Sequence, residues 1–226
     1  MSEIKLITPL LADHLMGDPI SNHHGVRCCP AMRENSDDKY IVKIISVPAS
    51  QTKLDALLLT GAYSDKDSAL AYFHDQAKGI LDEKEILDKL AQLEGFAAYE
   101  DCQIVPMEDG NGYDVYLLGT YKPTLERFYR NNAMTHLAAV NLGLDLCAAL
   151  SVCRRNGYLY VALKPSNVFI TANHEYRIGD LGFIHLDSLK YASMPERYRS
   201  DYTAPEITDA YAALNSTLDV FSVGMI

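Results

Sequence analysis

The pattern of the chain changes once, near residue 130, and that change restricts the fold more than any other feature. Before it, short β-branched runs dominate: Lys39 to Val47 (KYIVKIISV) predicts a buried strand, and Cys102 to Pro106 and Tyr113 to Leu118 predict two more. Between the last two, Asp109-Gly110-Asn111-Gly112 predicts a hairpin turn, because Gly and Asn tolerate positive φ. A helical stretch from about Asp67 to Leu93 interrupts these strands, with Leu70, Phe73, Ala77, Ile80, Leu87 and Leu90 approximating one apolar face and Gly95 as a stop. After residue 130, Thr135 is a fair N-cap for a core helix running to about Arg155, and Gly157 follows as a C-terminal signal. Strand-like pieces come next, at Val168 to Thr171 and Tyr176 to Ile178.

Bulk composition narrows the function. With 226 residues, 48% hydrophobic and 22% charged, the chain has the make-up of one two-lobed domain or two small ones. A formal charge of -10 repels a phosphate backbone or an anionic membrane, so nucleic acid is not an expected partner. Glu3, Lys5, Asp13 and His14 interrupt the apolar residues of the N-terminus, which therefore lacks the core of a secretion signal. The longest apolar stretch, Leu137 to Val152, is broken by Asn141 and Asp145 and predicts no membrane segment, so a cytoplasmic chain is expected. Five cysteines without framework spacing predict reduced thiols. His23, His24, Cys28 and Cys29 do not predict a metal site, since adjacent residues of an extended segment point to opposite faces.

Four short motifs then follow one another in order. Tyr160 to Ile170 reads YVALKPSNVFI; ten residues beyond Ile170 stands Asp180-Leu181-Gly182; Ala204-Pro205-Glu206 follows; and Asp219 to Gly224 reads DVFSVG. Each triplet alone is weak, but their order and gaps together resemble a protein kinase domain of the Ser/Thr type, whose catalytic loop has the pattern H-R-D-L-K-P-x-N and whose later landmarks are D-F-G and A-P-E.

The resemblance implies an α+β fold of two lobes. Residues 1–121 would form an N-lobe, mainly antiparallel sheet plus a regulatory helix, with an extra helical insertion at about 51–75. Residues 122–226 would form a mainly helical C-lobe, incomplete because Ile226 falls inside its central helix. It also implies Mg-ATP as ligand. Asn167 and Asp180 would offer the metal an amide carbonyl and a carboxylate, the hard oxygens magnesium takes. Lys164 would offer a cation to the γ-phosphate, and Lys43 would neutralise the α and β phosphates. A lysine in a buried strand needs a partner, and Glu83, on one helical face with Leu87 and Leu90, is the expected one. Val26, Ile41 and Phe169 would sandwich adenine, and Tyr121 and Lys122 would lie near the hinge.

The pattern also fails in places. Ala162 stands where the loop aspartate should accept the substrate's proton, and a methyl group cannot do so. Val161 replaces the arginine that receives an activation-segment phosphate. Gly17 and Gly25 are eight residues apart, with no G-x-G-x-x-G. Three functions are compatible with this: a pseudokinase that binds Mg-ATP and works through a regulatory partner, an active kinase for a protein substrate represented by an inactivated form, and an interaction domain without nucleotide.

Overall fold

The structure is a computed structural model, and it describes residues 9–188, 196–208, 215 and 217–226. Along the chain run β1 (His14–Met16), β2 (Ser21–His23), β3 (Val26–Arg33), β4 (Lys39–Val47), α1 (Gln51–Leu59), α2 (Lys66–Ala91), β5 (Phe96–Ala97), β6 (Asp101–Pro106) and β7 (Tyr113–Thr120). Then come α3 (Leu125–Tyr129), α4 (His136–Arg155), β8 (Tyr158–Tyr160), β9 (Val168–Ile170), β10 (Tyr176–Gly179), β11 (Phe183–His185) and α5 (Thr217–Met225). The α+β class is as expected. The residues fall into two compact units, 1–82 with 99–121 and 83–98 with 122–226, so α2 contributes to both.

The first unit is built on an antiparallel sheet in the order β1-β3-β4-β7-β6, with β2 also paired to β3. Alternation along β4 sends Tyr40, Val42 and Ile44 to one face, where they are buried with Cys29, Ala31, Tyr116 and Leu118 beneath Leu11 of the N-terminal segment. The β6–β7 turn forms where the Asp-Gly-Asn-Gly run predicts it: Gly110 has φ 64°, and the Met107 amide donates to the Gly112 carbonyl at 2.9 Å. In the predicted insertion, α1 covers Gln51–Leu59, and Leu54 is its buried anchor.

In the second unit, α4 carries the core on Leu142, Leu146, Ala149, Leu150 and Cys153. The Thr135 side chain accepts from the Ala138 amide and caps the first turn, as expected. This helix is long and apolar enough to cross a membrane by length and composition, but it is a packed helix of this unit, and its Asp145 accepts the Tyr176 amide at 2.9 Å. β10 is the middle strand of a small sheet, antiparallel to β9 and parallel to the two-residue β5. The chain reaches β5 through Gly95, at φ 80°, where a Cβ would approach that of Ala149 to 2.8 Å; only glycine fits. That parallel pairing ties 95–97 to β10, which is why this stretch groups with the second unit. All five cysteines are free thiols.

Candidate active site

In the first unit, strand register brings three of the expected residues to one face. Val26 pairs with Ile45, Cys28 with Lys43 and Pro30 with Ile41, and antiparallel partners point the same way. Val26, Ile41 and Lys43 therefore lie on the sheet face opposite the cluster under Leu11, with Leu117 beside Lys43 on the next strand. Val26 follows a two-residue turn, His24-Gly25, with φ of 51° and 76°. A Cβ on Gly25 would come within 2.6 Å of Ala49, so the turn is pressed against the chain after β4. Gly17 belongs to a different contact, its amide donating to the Pro30 carbonyl at 2.8 Å. The two glycines thus serve separate turns and do not form one phosphate-cradling loop. At the other end of β4, the Tyr121 amide donates to the Lys39 carbonyl at 2.8 Å.

The second unit holds Glu83, Ala162, Lys164, Asn167, Phe169 and Asp180. β8 pairs with β11, placing Tyr160 opposite Phe183, and the Val161 amide donates to the Gly182 carbonyl at 2.8 Å. Residues 161–163 are buried, Ala162 to 1% exposure, and its methyl lies so close to Gly182, at φ 137°, that a Cβ there would overlap it. The chain then turns through a short 3-10 segment, Pro165–Asn167, in which the Asn167 amide donates to the Lys164 carbonyl at 2.9 Å. Asn167 is buried, and its side-chain Nδ2 donates to the Ala162 carbonyl at 2.8 Å and reaches the Tyr160 hydroxyl at 3.4 Å. Phe169 lays its ring over Gly179, a close approach that any Cβ at 179 would block.

Asp180 follows β10 in the left-handed region, φ 78°, where a residue with a Cβ is strained. Its Oδ1 accepts the Leu181 amide at 2.8 Å. Glu83 accepts the Gly182 amide at 2.9 Å, the Phe183 amide at 3.4 Å, the Tyr198 hydroxyl at 2.9 Å on both oxygens, and Arg197 at 3.4 Å. Burial pushes its carboxyl above the usual range, against the pull of Arg197, Tyr198 and the two amides. Tyr198 is itself buried, and its hydroxyl is raised first by burial and then by Glu83.

Tyr160, Gly179, Arg197 and Tyr198 are site neighbours that sequence reasoning did not single out. Tyr160 was in view within the loop motif; a polar aromatic among Val, Ala and Leu is the signal that marks it. Nothing local marks Tyr198, 115 residues from Glu83.

A divalent metal suits these residues. Asn167 donates through Nδ2, and among the described residues no donor reaches its Oδ1, which leaves a hard oxygen available. With Asp180 this makes two protein oxygens, and magnesium commonly takes one or two carboxylates plus phosphate oxygens and water. No group of three or more His, Cys, Asp or Glu side chains suited to a metal occurs among the described residues.

Residues 30–226 match the family model for the protein kinase domain. The chain is 28% identical over 116 residues to Aurora/IPL1-related protein kinase 2 of Caenorhabditis briggsae, covering 50% of this chain and 37% of that protein. It is 31% identical over 120 residues to mitogen-activated protein kinase HOG1 of Wallemia sebi, 51% and 41% respectively. Against serine/threonine-protein kinase ppk16 of Schizosaccharomyces pombe it is 26% identical over 117 residues, 50% and 17%. The chain thus spans less than half the length of these curated relatives. With most of its length matched by one model, this chain belongs to the protein kinase family.

Proposed function

We propose that this chain binds Mg-ATP and that its phosphotransfer to serine or threonine is impaired, making it a pseudokinase that acts through a protein partner. Asn167 carries the reading: its amide is held by Ala162 and Tyr160 with Oδ1 left available, in the same unit as the carboxylate of Asp180. In this reading Asn167 and Asp180 hold the metal, Lys43 and Lys164 meet the phosphates, and Val26, Ile41 and Phe169 enclose the base. Bound magnesium would neutralise charge on the phosphates. The chain's own residues then orient the nucleotide, and none at position 162 can take a proton from a hydroxyl.

Isothermal titration with and without magnesium tests this. ATP binding should depend on magnesium, and Asp180→Ala should abolish that dependence; unchanged affinity and unchanged dependence in Asp180→Ala would refute the nucleotide site.

The placing of Gly17 and Gly25 in separate turns, with no single glycine-rich loop, favours a second reading, an interaction domain without nucleotide. No detectable ATP binding in either condition is the result it requires.

A further inference from the structure

Residues 9–16 form a strap at one edge of the first unit's sheet. Its last three residues are β1, whose partner is β3: His14 pairs with Arg33, Leu15 with Met32 and Met16 with Ala31. Leu15 is half exposed, while His14 and Met16 turn to the opposite side. There Met16 packs against the apolar cluster and Leu11 is buried in it. Polar ties hold the strap as well: the Leu10 amide donates to Gln103 Oε1 at 3.2 Å, and the Glu34 amide to the Asp13 carbonyl at 2.7 Å.

His14 is the polar side chain on the inner side of this strap. It is 9% exposed, and both ring nitrogens are buried with no hydrogen-bond partner among the described residues. Its ring meets that of Tyr40 edge to face, 4.9 Å between centroids at 89°, and the Arg33 guanidinium lies over the same Tyr40 ring at 5.3 Å. A neutral imidazole leaves one donor and one acceptor unmet here; an imidazolium would leave two donors unmet and bring a charge out of water. Arg33 on β3 opposes a second cation, Asp13 beside it and Glu100 before β6 favour one, and Tyr40 on β4 presents a neutral ring. Burial first, then Arg33, holds the imidazole below its ordinary value of 6.5, against the pull of Asp13 and Glu100.

Lifting the strap returns His14 to water, where it takes a proton near 6.5. Below that pH the open state binds more protons than the closed one, so closure is fully favoured above 6.5 and weakens as pH falls. β3 keeps β4 as its partner from Val26 to Met32, so the strap can leave while the sheet stays.

We propose that residues 9–16 are an acid-released strap with His14 as its trigger. Neutral, His14 lies against Tyr40 and the strap is closed; protonated, it leaves, and the face built on Cys29, Ala31, Val42, Ile44, Tyr116 and Leu118 is uncovered. This face is opposite the one that carries Lys43, so the proposal does not depend on the nucleotide reading.

The test is amide hydrogen exchange followed by mass spectrometry at pH 7.5, 6.5 and 5.5, corrected for the pH dependence of intrinsic exchange. It compares the full chain with His14→Phe and His14→Leu, neither of which can take a proton. In the parent, protection of peptides covering 9–16 should fall by about 5- to 10-fold between pH 7.5 and 5.5, while peptides from β4 keep theirs. In His14→Phe, which retains an aromatic contact with Tyr40, strap protection should stay within about 2-fold over the same range. A parent strap with constant protection overturns the proposal. An equal fall in parent and variants shows that another group titrates, and overturns it too. Loss of β4 protection together with the strap would be unfolding of the sheet rather than release. Strap protection already lost at pH 7.5 in both variants would make His14 a packing group, and its role as trigger would fall.

Discussion

Asp219 offers a prediction that can be worked through from its surroundings. It lies on the first turns of α5, buried to 5% exposure, with an Oδ1 that no donor reaches among the described residues. Burial raises its carboxyl from an ordinary value of 3.8 to about 7, against the weaker pull of Arg154. An unfolded chain ionises this group near 3.8 while the folded one keeps the proton until about 7. Between those values the folded state binds more protons, so its stability falls as pH rises, and the loss is complete above about 7. At about 1.4 kcal/mol for each tenfold change in proton affinity, the full loss is of order 4 kcal/mol. Asp219→Asn removes the titration, although its buried amide also lacks a ready partner, so a gain of about 1–3 kcal/mol at pH 8 is expected. Urea unfolding at pH 5, 6, 7 and 8 is the assay. The parent should lose stability across this range and Asp219→Asn should lose less; parallel curves would show that Asp219 is solvated or paired in solution and would refute the reasoning.

Three further outcomes are expected. Gly182→Ala should destabilise the fold by about 2–5 kcal/mol, because a Cβ at φ 137° is strained and would overlap the Ala162 methyl; a urea midpoint within error of the parent would contradict this close approach. Glu83→Ala leaves Arg197 and the buried Tyr198 hydroxyl without their acceptor and should cost about 3–5 kcal/mol, whereas Glu83→Gln should cost less; equal losses in the two melts would mean the carboxylate is not the organising group. Ala162→Asp should raise phosphotransfer from Mg-ATP to serine or threonine by about 100- to 10,000-fold, measured with Asp180→Ala as the blank. No rise despite intact ATP binding would place a further defect at Val161 or at the His24-Gly25 turn.

Local chemistry was enough for the elements whose residues carry their own period or cap. β4 occupies Lys39–Val47, the run its β-branched residues predict, and α2 spans Lys66–Ala91 with Phe73, Ala77, Ile80, Leu87 and Leu90 buried as their spacing requires. α4 starts after Thr135 because a threonine side chain can satisfy an open amide wherever it stands. The short N-terminal strands and α3 were not legible. β1 and β2 have three residues each, and α3 has five, lengths at which periodicity says little.

The candidate site divides in the same way. Asn167, Asp180 and the alanine at 162 were proposed from the order of the motifs and Lys43 from its likeness to the family's strand lysine, and the α+β class follows from where strands give way to helices. Which atoms those residues face was decided only by tertiary structure. The orientation of the Asn167 amide depends on a hydroxyl seven residues earlier and a carbonyl five residues earlier, brought together by the loop after β8. The donors around Glu83 come from segments about 100 residues away, and its buried carboxylate takes whichever of them the fold delivers, since an ion removed from water must be satisfied by groups that sequence spacing cannot specify.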